Sequence, residues 1–559
     1  MSHTFIEKEM NNLGRRLTNC RMCNSADLYI FLDLGFLPSA DGILNKEDIE
    51  HPEIHFPLKV AQCKDCGLTQ LTYAVNPKLL YDNKYSYESS ITETGKKHFF
   101  DMADSICDKF NLNGDFVVDI GSNVGVLLEG FKNNGCNVLG IDAAPKIVKI
   151  ANRRGIETWQ NLFGKGVAQK IVNEKGKAKI VCGTNVFAHI DDKKGFMESL
   201  ELVLDDEGVF VMEAPYLINL IDNLEYDTIY LDHLEYLSLK PLVKFFERYG
   251  FEVFNVEKYD IHGSSIRVFT SRKGVREINS SVNEMLDFEE EKGIYKKEVL
   301  DKFSKDVKEH RKEFVDLLYD LRRQGKKIVG ISAPAKGNTL LNYCKLDHHD
   351  IKFMTEKSKI KLDHYTPGMH IPIISEERLL EEEIDYGIIF AWNFFDEIVN
   401  NKISKKFLKG GGKFIKPIPK ITIMEMQNEN LFGVSVKKID PAFMDERGVI
   451  VDFVNTDLKH VGMITTEEKV VRGNHYHKKS NQYTYILSGS FEVLLAPSDQ
   501  PANVKKVVVR AGEMISIPSG VIHQFKAVER AVMIEMDTES REGSGYEDDL
   551  FRVNIEYNQ

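Results

Sequence analysis

The sequence has no apolar run long enough to cross a bilayer, and its first residues lack the basic and apolar segments of a secretory signal peptide. Cysteine is scarce, at eight of 559 residues, which argues against a disulfide-rich secreted scaffold. An excess of basic charge is also absent, because the net charge is −12. General nucleic-acid binding needs a basic surface, so we expect no nucleic-acid partner. Because the sequence also shows neither a membrane-spanning run nor a signal peptide, we expect a cytoplasmic protein with no membrane partner.

The length of the chain indicates several globular domains. The composition is that of an ordinary soluble protein, with 28% charged and 42% hydrophobic residues. A single core rarely serves more than about 300 residues, so three or four domains are expected. Changes of pattern along the sequence place the domains at 1–75, 76–275, 276–425 and 426–559.

Strand-like and helix-like runs alternate through the second of these domains, which indicates a parallel sheet with crossover helices. Its strand-like runs are 116–120, 137–141, 179–182 and 208–213. Residues 281–325 are highly charged, with apolar residues at helical spacing, which predicts one long amphipathic helix. A second strand-turn-helix pattern follows from Lys327. After residue 426 the pattern changes to short strands and turns, typical of a small barrel or sandwich.

Four of the eight cysteines lie in two pairs, Cys20-Arg-Met-Cys23 and Cys63-Lys-Asp-Cys66. A spacing of two residues lets both thiolates of a pair reach one tetrahedral metal ion. Four thiolates leave no open coordination position, so the predicted Zn²⁺ is structural. The alternative is chance spacing, which is weak in a chain with so few cysteines.

A glycine loop follows the strand at 116–120, in the sequence Asp119-Ile-Gly121-Ser122-Asn123-Val-Gly125. The glycines permit a tight turn and a close approach of the backbone to a ligand. About twenty residues later Asp142 ends a second strand, where a carboxylate can accept two ribose hydroxyls. This glycine spacing, with the following acid, favours S-adenosylmethionine over a dinucleotide. The alternative is a turn whose glycines serve packing only.

Several further segments have distinctive sequences, among them Asn185-Val-Phe-Ala-His189 and Tyr226-Asp-Thr-Ile-Tyr230-Leu-Asp232-His233. The others are 81–90, 262–267, 333–338, 367–372 and 391–393. Together with the cysteine pairs they resemble, in order over about residues 15–423, the sugar-nucleotide C-methyltransferases that build branched deoxysugars. The resemblance implies three parts: a zinc module, a methyltransferase core and a C-terminal α/β lobe that helps hold the sugar nucleotide.

The resemblance also implies roles for individual residues. His233 is the expected base that removes a proton beside a ketone, a task suited to a side chain whose pKa lies near operating pH. The family usually has His-Glu-His where this chain has Leu-Asp-His, and Asp232 is expected to orient His233 or to relay its proton. His189 and Tyr230 would bind the keto oxygen and a neighbouring hydroxyl, and Tyr85 or Tyr87 would close the site.

Two further groups of residues complete the expected site. Asn185 is expected to join the methyl-donor residues of the glycine loop. The expected contacts to the sugar nucleotide are His262, Arg267, Lys336, Asn338, Trp392 and Asn393.

The last domain has histidines at an informative spacing. Gly473-Asn-His475-Tyr-His477 precedes Gln482, and Gly512 precedes Pro518-Ser-Gly520 and His523. These segments resemble the two cupin motifs, in which three histidines and one glutamate converge on a metal inside a β-barrel. Gln482 stands in the glutamate position, and an amide oxygen is a weaker ligand than a carboxylate. Whether a metal is bound by His475, His477, Gln482 and His523 is therefore left undecided by the sequence.

Segments 445–448 and 471–473 resemble the cupins that epimerise or isomerise 4-keto sugar nucleotides. By that resemblance His475 and His477 are the candidate base and acid, and Tyr483 or Tyr485 is a second proton donor. Arg447 and Arg472 could hold the diphosphate as charge-assisted donors. The alternative is a barrel without catalysis that serves dimerisation or sugar sensing.

The expected fold is therefore a multidomain chain: an N-terminal zinc module, a Rossmann-like α/β methyltransferase core, a second α/β lobe and an all-β cupin (jelly-roll) barrel. The expected function is S-adenosylmethionine-dependent C-methylation, at C3, of an NDP-4-keto-deoxysugar carried on dTDP or GDP. The cupin would epimerise or isomerise the same sugar and form a homodimer. A zinc-ribbon RNA methyltransferase is a more distant alternative, disfavoured by the acidic charge.

Overall fold

The computed structural model describes residues 13–80, 93–259, 265–425, 432–439, 443–445, 448–540, 548–553 and 555. It divides into two compact units, Met1–Glu425 and Met426–Gln559, which are considered separately. The finer division of the first unit at residues 75 and 275 stays a prediction. Four predicted site residues, Tyr85, Tyr87, His262 and Arg447, lie outside the described residues.

The cysteine-bearing part of the first unit consists of short antiparallel strands. Its elements are β1 (Gly14–Arg16), β2 (Leu28–Leu37), β3 (Phe56–Cys63), β4 (Thr69–Leu71), β5 (Tyr73–Val75), α1 (Pro77–Leu80) and a 3₁₀ helix (Asp48–Glu50). Strands β2, β3 and β4 form a sheet whose fourth strand, β11 (Glu235–Tyr236), comes from the middle of the chain. The zinc module therefore shares a sheet with the part of the chain that carries His233.

The part predicted to be the methyltransferase core is built on a seven-stranded sheet. Its helices are α2 (Glu93–Phe110), α3 (Val126–Asn133), α4 (Pro145–Arg153), α5 (Lys165–Lys175), α6 (Lys193–Val203), α7 (Leu217–Asp222) and α8 (Leu239–Glu247). Its strands are β6 (Phe116–Ile120), β7 (Asn137–Asp142), β8 (Thr158–Gln160), β9 (Ala178–Thr184), β10 (Leu204–Pro215), β12 (Phe251–Tyr259) and β13 (Ser265–Arg272). The strand order is β12-β13-β10-β9-β6-β7-β8; β13 is antiparallel to both of its neighbours, β12 and β10, and all other neighbouring pairs are parallel. All four predicted strands are present within this parallel part.

Two short 3₁₀ helices, Phe187–His189 and Tyr226–Thr228, follow β9 and α7. They lie on the carboxyl side of the parallel sheet, where α/β folds place their ligands. The two segments that carry the predicted histidines therefore meet at one edge of the core.

A second α/β sheet completes the first unit. Its helices are α9 (Ser280–Lys292), α10 (Lys297–Arg323), α11 (Ala335–Cys344), α12 (Arg378–Glu381), α13 (Phe395–Asn400) and α14 (Lys402–Lys409), with a 3₁₀ helix at Trp392–Phe394. Its strands are β14 (Ile328–Ile331), β15 (Met354–Glu356), β16 (His364–Tyr365), β17 (Pro372–Ser375), β18 (Tyr386–Ile389), β19 (Lys413–Lys416) and β20 (Thr422–Glu425). The order is β16-β17-β15-β14-β18-β19-β20, with antiparallel strands at both edges.

The prediction of one helix over 281–325 is wrong, because two helices occupy that segment. Gly293 caps the first in the left-handed conformation, with φ of 64°. Such a residue ends a helix, and glycine adopts that conformation without a side-chain clash. The second helix, α10, buries Val307, Phe314 and Leu318 against the core, as its apolar spacing predicts.

One continuous buried core runs through all three parts of the first unit. Leu58 of the zinc module, Phe187 and Tyr226 of the methyltransferase core, and Leu340 and Phe390 of the second lobe belong to the same cluster. None of the described helices is both long and apolar enough to cross a membrane. A shared core holds the three parts in a defined arrangement, which a site built between them requires.

The second unit is an all-β barrel of two facing five-stranded sheets. Its strands are β21 (Ser435–Lys438), β22 (Phe443–Asp445), β23 (Gly448–Ile450), β24 (His460–Thr466), β25 (Val471–His477), β26 (Gln482–Ser488), β27 (Ser490–Pro497), β28 (Lys505–Arg510), β29 (Glu513–Ile517), β30 (Val521–Ala527), β31 (Ala531–Asp537) and β32 (Leu550–Arg552). The sheets run β21-β29-β26-β31-β24 and β28-β27-β30-β25-β32, beside the hairpin β22-β23. Their inner faces bury an apolar core that includes Phe491 and Ile515. The predicted barrel is confirmed.

Candidate functional sites

The two cysteine pairs converge on one point. The Sγ atoms of Cys20 and Cys66 lie 3.5 Å apart, and those of Cys23 and Cys63 lie 3.4 Å apart. All four lie within 4.8 Å of one another. A tetrahedral zinc ion with bonds of about 2.3 Å needs sulfur separations of about 3.8 Å, so the four cysteines fit Zn²⁺. Burial raises the pKa of Cys23 to about 11, so zinc binding must displace protons.

The glycine loop after β6 forms a tight cradle. Gly121 has φ of 70°, and a Cβ there would lie 2.7 Å from Val186. The amide of Gly121 donates to the Ile141 carbonyl over 2.7 Å. Asp142, at the end of β7, accepts amide hydrogen bonds from Asn123 at 3.0 Å and Ala144 at 2.9 Å. A side chain at position 121 would clash with Val186, so only glycine permits this tight turn and the close approach of its backbone to a ligand.

Several polar atoms around this cradle are buried without a partner in the described part of the chain. They are Asp119 Oδ1, Ser122 Oγ and Asn185 Oδ1. Burial and the nearby Asp142 raise the pKa of Asp119 to about 8. Such atoms are costly unless a ligand completes their hydrogen bonds. Acceptors of this kind fit the amino and hydroxyl groups of S-adenosylmethionine.

His233 and His189 lie in one cleft beside this cradle, together with Asn185, Thr228 and Glu225. The rings of the two histidines are 5.0 Å apart. Nδ1 of His233 lies 2.8 Å from the Thr228 carbonyl, which can only accept, so Nδ1 carries the proton. Burial and the neighbouring His233 hold the pKa of His189 well below its usual range, so His189 is neutral.

Asp232 does not hydrogen-bond His233. Both carboxylate oxygens of Asp232 are buried without a partner among the described residues. Burial and the charge of Asp41 raise its pKa to about 8. The expectation that Asp232 orients His233 is therefore wrong, because the Thr228 carbonyl does so. A proton relay through Asp232 stays a prediction.

Glu225 is a cleft residue that the sequence did not reveal. It is buried beside the two histidines, and burial raises its pKa to about 7. Asn223 donates to its carboxylate over 3.0 Å. The one available signal was its position directly before the motif that begins at Tyr226, which identifies no chemistry by itself.

Three of the predicted sugar-nucleotide residues come together next to this cleft. The indole of Trp392 donates to Asp227 over 2.7 Å, and the ammonium of Lys336 lies 4.1 Å above the Trp392 ring. Lys336 also hydrogen-bonds Asn393. Burial lowers the pKa of Lys336 to about 8, against the opposing effect of Asp227. The lobe thus meets the segment that carries His233.

Two other predicted contacts have protein partners. Arg267 is buried on β13 and donates to one Glu213 oxygen from Nε at 2.9 Å and from Nη2 at 2.8 Å. Asn338 donates to the Ala40 carbonyl over 2.7 Å and lines a separate small pocket with Tyr230. The ring of Tyr230 lies 3.9 Å from that of His233. Substrate contacts by Arg267, Asn338 and Tyr230 stay predictions.

In the barrel, His475, His477 and His523 form a cluster with ring nitrogens within 4.8 Å. Nε2 of His523 lies 3.1 Å from Nε2 of His475, and Nδ1 of His523 lies 3.1 Å from the Val521 carbonyl. His523 therefore carries its proton on Nδ1. Burial and the two neighbouring histidines hold its pKa well below the usual range. Three inward imidazoles can bind a metal or exchange protons with a ligand.

His477 has a carboxylate partner that sequence reasoning missed. Its Nδ1 lies 3.3 Å from Asp549, which also accepts amide hydrogen bonds from Lys479 at 2.6 Å and Ser480 at 3.1 Å. Asp549 precedes β32, far from the histidine motif, so only the fold brings them together. A carboxylate at Nδ1 orients an imidazole and stabilises its charged form.

Gln482 is buried on β26, on the sheet that faces the histidines. Its Oε1 has no partner among the described residues, while Nε2 donates to Thr484 at 3.1 Å and Glu535 at 3.3 Å. An oxygen without a hydrogen-bond partner could be a metal ligand. Metal binding by this residue stays a prediction. Side chains alternate along a strand, so Tyr483 and Tyr485 lie on the opposite face of β26. That either is a second proton donor stays a prediction.

Arg472 lies on β25 and donates to Thr466 and to the Thr465 carbonyl, both at 2.9 Å. The contact with Thr466 is partly buried, and the contact with the Thr465 carbonyl is exposed. Its predicted role in holding a diphosphate stays a prediction.

Family profiles match successive parts of the chain. They describe a zinc-binding domain over residues 20–81, a methyltransferase domain over 101–256, a C-methyltransferase C-terminal domain over 260–419 and a cupin over 456–548. The C-methyltransferase NovU of Streptomyces niveus is 34% identical over 421 residues, which are 75% of this chain and 100% of NovU. The chain belongs to the C-methyltransferase family. Its match confirms the predicted methyltransferase and zinc parts, and S-adenosylmethionine is the methyl donor of this C-methyltransferase.

The barrel of this C-methyltransferase is similar to smaller proteins. The QdtA 3,4-ketoisomerase of Thermoanaerobacterium thermosaccharolyticum is 27% identical over 22% of this chain and 89% of its own, with a TM-score of 0.19. The dTDP-4-dehydrorhamnose 3,5-epimerase of Sulfolobus tokodaii is 20% identical over 23% and 84%, with a TM-score of 0.20. TM-scores this low assign no activity to the barrel.

Replacing Cys63 with serine should remove zinc and destabilise the protein, since closed thiolate sites store metal-binding energy as folding stability. Zinc content by atomic absorption and the thermal midpoint should both fall. Cys344→Ser is the matched control, because Cys344 is equally buried but lies outside the cluster. A soluble, zinc-free and fully active Cys63→Ser protein would contradict a structural role for the ion.

Proposed function

We propose that this C-methyltransferase methylates an NDP-4-keto-deoxysugar at C3, through an enolate, in branched deoxysugar biosynthesis in the cytoplasm. The observation that carries this proposal is the tautomer of His233. Because Nδ1 donates to the Thr228 carbonyl, Nε2 is the basic nitrogen, as abstraction of a proton beside a ketone requires. The carrier nucleotide is proposed to be dTDP or GDP.

The neighbours of His233 suit the other half of an enolisation. His189, held neutral by burial, can donate a hydrogen bond to the oxygen on which negative charge develops. A neutral donor avoids charge repulsion when His233 becomes protonated 5.0 Å away. The pKa of Glu225 is raised to about 7 and that of Lys336 is lowered to about 8, so either side chain can exchange a proton near pH 7.

The methyl donor would be held by the glycine cradle and Asp142, with Asp119 and Asn185 on its polar groups. When bound, S-adenosylmethionine supplies an electrophilic methyl group. The chain contributes placement, because the cradle and the histidine cleft share Asn185. Placement of two reactants side by side provides much of the acceleration of a bimolecular step.

The variant His233→Asn should lower methyl-transfer turnover by about two to four orders of magnitude, because asparagine can still bond the Thr228 carbonyl but cannot accept a proton as a base. Methyl-donor affinity by calorimetry should be nearly unchanged. His348→Asn, an exposed histidine of the second lobe, is the control. Turnover near the wild-type value in His233→Asn would move the role to Tyr230 or His189.

We propose further that the barrel epimerises or isomerises the same keto sugar. His475 and His477, whose rings lie 5.0 Å apart, would move the proton beside the ketone, and Asp549 would support charge on His477. His523, neutral and bonded to His475, can take part in the same exchange. Two activities on one activated sugar explain why both units are joined in one chain.

The barrel should exchange solvent deuterium into the keto sugar without any methyl donor, since enolisation lets solvent label enter at the carbon beside the carbonyl. The test uses the full chain with His233→Asn, so that the methyltransferase half cannot enolise the substrate. Mass spectrometry should show label that disappears when His475→Asn or His477→Asn is added. His460→Asn, elsewhere in the barrel, is the matched control. If dTDP- and GDP-linked sugars all stay unlabelled and unaltered, the barrel is a dimerisation or sensing module.

A homodimer through the cupin is also proposed. Strand β24 lies at the edge of its sheet and, within the described residues, pairs with one neighbouring strand, β31. Two apolar side chains on one face of this strand, Val461 and Met463, are 60% and 70% exposed. Exposed apolar edges favour pairing with another chain.

Met463→Lys should convert a dimer to a monomer in light scattering, while Leu487→Lys, which removes an exposed leucine of β26, should not. A wild-type monomer would refute the dimer.

A further inference from the structure

Arg21 lies between two zinc-binding cysteines, yet its side chain points away from the metal cluster into the methyltransferase core. The side chain is 3% exposed. Its Nη1 lies 2.7 Å from Asp191, and its Nε lies 3.1 Å from Glu235. Its Nη2 donates to the carbonyls of Ile190 at 2.7 Å and Asp191 at 3.0 Å.

These partners belong to the two segments that carry the cleft histidines. Ile190 and Asp191 directly follow His189, and Glu235 lies two residues after His233. One rigid guanidinium therefore joins both segments, and one of its partners, Glu235, also lines the cleft. The segments are also joined directly, since the amide of Leu234 donates to the Ala188 carbonyl over 3.0 Å.

The position of Arg21 itself is set by the zinc knuckle. Its backbone is flanked by Cys20 and Cys23, and its amide donates to the side chain of Gln70 over 2.9 Å. Gln70 lies on β4, opposite Glu235 in the shared sheet. The knuckle and Gln70 thus fix the backbone of Arg21, and Glu235 on the same sheet fixes its guanidinium.

The charges around Arg21 are balanced inside the protein. Glu235 also pairs with Lys193 at 2.9 Å, and both side chains are buried. Arginine presents several donors in a fixed planar fork, whereas lysine presents one compact ammonium. A lysine at position 21 can keep the charge but cannot bond Glu235, Asp191 and a carbonyl at the same time.

We propose that Arg21 is a positioning residue of the methyl-transfer site, through which the zinc knuckle sets the spacing between His189 and His233. The inference rests on the proposed function of these two histidines. It gives the zinc module a part in catalysis that a purely structural metal would not have, since the link runs through one side chain and not through general stability.

The test compares Arg21→Gln and Arg21→Lys with Arg15→Gln in the full-length zinc-loaded enzyme. Arg15 also pairs with Asp191, at 2.7 Å, but its side chain is 59% exposed, so its loss should change turnover little. Both Arg21 variants should lower kcat roughly 10- to 100-fold, as small misplacements of reacting groups do. Zinc content and methyl-donor affinity should stay at wild-type values. Arg21→Lys keeps the charge, so it reports on geometry even if Arg21→Gln folds poorly.

A double variant identifies the route of the effect. If Arg21 acts through the histidine cleft, Arg21→Gln combined with His189→Asn should lose no more activity than His189→Asn alone, because effects through a shared group are not additive. Fully multiplicative losses, or wild-type kcat in both Arg21 variants, would overturn the inference. Wild-type kcat in His189→Asn would instead refute the proposed role of His189, which separates the two failures.

Discussion

The pairing of β4 with β11 is the constraint on which the first unit depends. Two residues that follow His233, Glu235 and Tyr236, complete the sheet of the zinc module opposite Gln70 and Thr69. The amide of Leu71 donates to the Leu234 carbonyl and extends this contact. The segment that carries His233 is thereby fixed at its C-terminal end. The zinc cluster stabilises the sheet, and the sheet holds the segment that carries the proposed base.

The site between the parts is rich in buried ionisable groups whose pKa values move toward neutrality. Burial raises the pKa of Asp119 to about 8 and that of Glu225 to about 7, and it lowers that of Lys336 to about 8. Buried charges are costly unless they are paired, so these groups reduce the cost by changing ionisation. The same shifts suit a site that exchanges protons with a substrate.

The two units orient their histidines in different ways. In the first unit a backbone carbonyl sets the tautomer of His233, while the barrel places Asp549 at Nδ1 of His477. A carbonyl fixes a neutral imidazole, whereas a carboxylate also favours the charged form.

Local patterns in the sequence determined the zinc ligands, the glycine cradle, the parallel strands and the barrel. Each depends on residues close together in the chain: two cysteines per knuckle, glycines in one turn, apolar residues within one strand. The break at Gly293 was also local, and the helical period around it concealed it. By contrast, Arg21 at Glu235, Asp549 at His477 and Glu225 in the cleft were decided by tertiary structure. Packing set which face of β26 lies inside, and it left the carboxylate of Asp232 without a hydrogen-bond partner among the described residues. A sequence specifies which groups are available, but contacts between distant segments depend on how sheets and cores pack, and that information is spread over the whole chain.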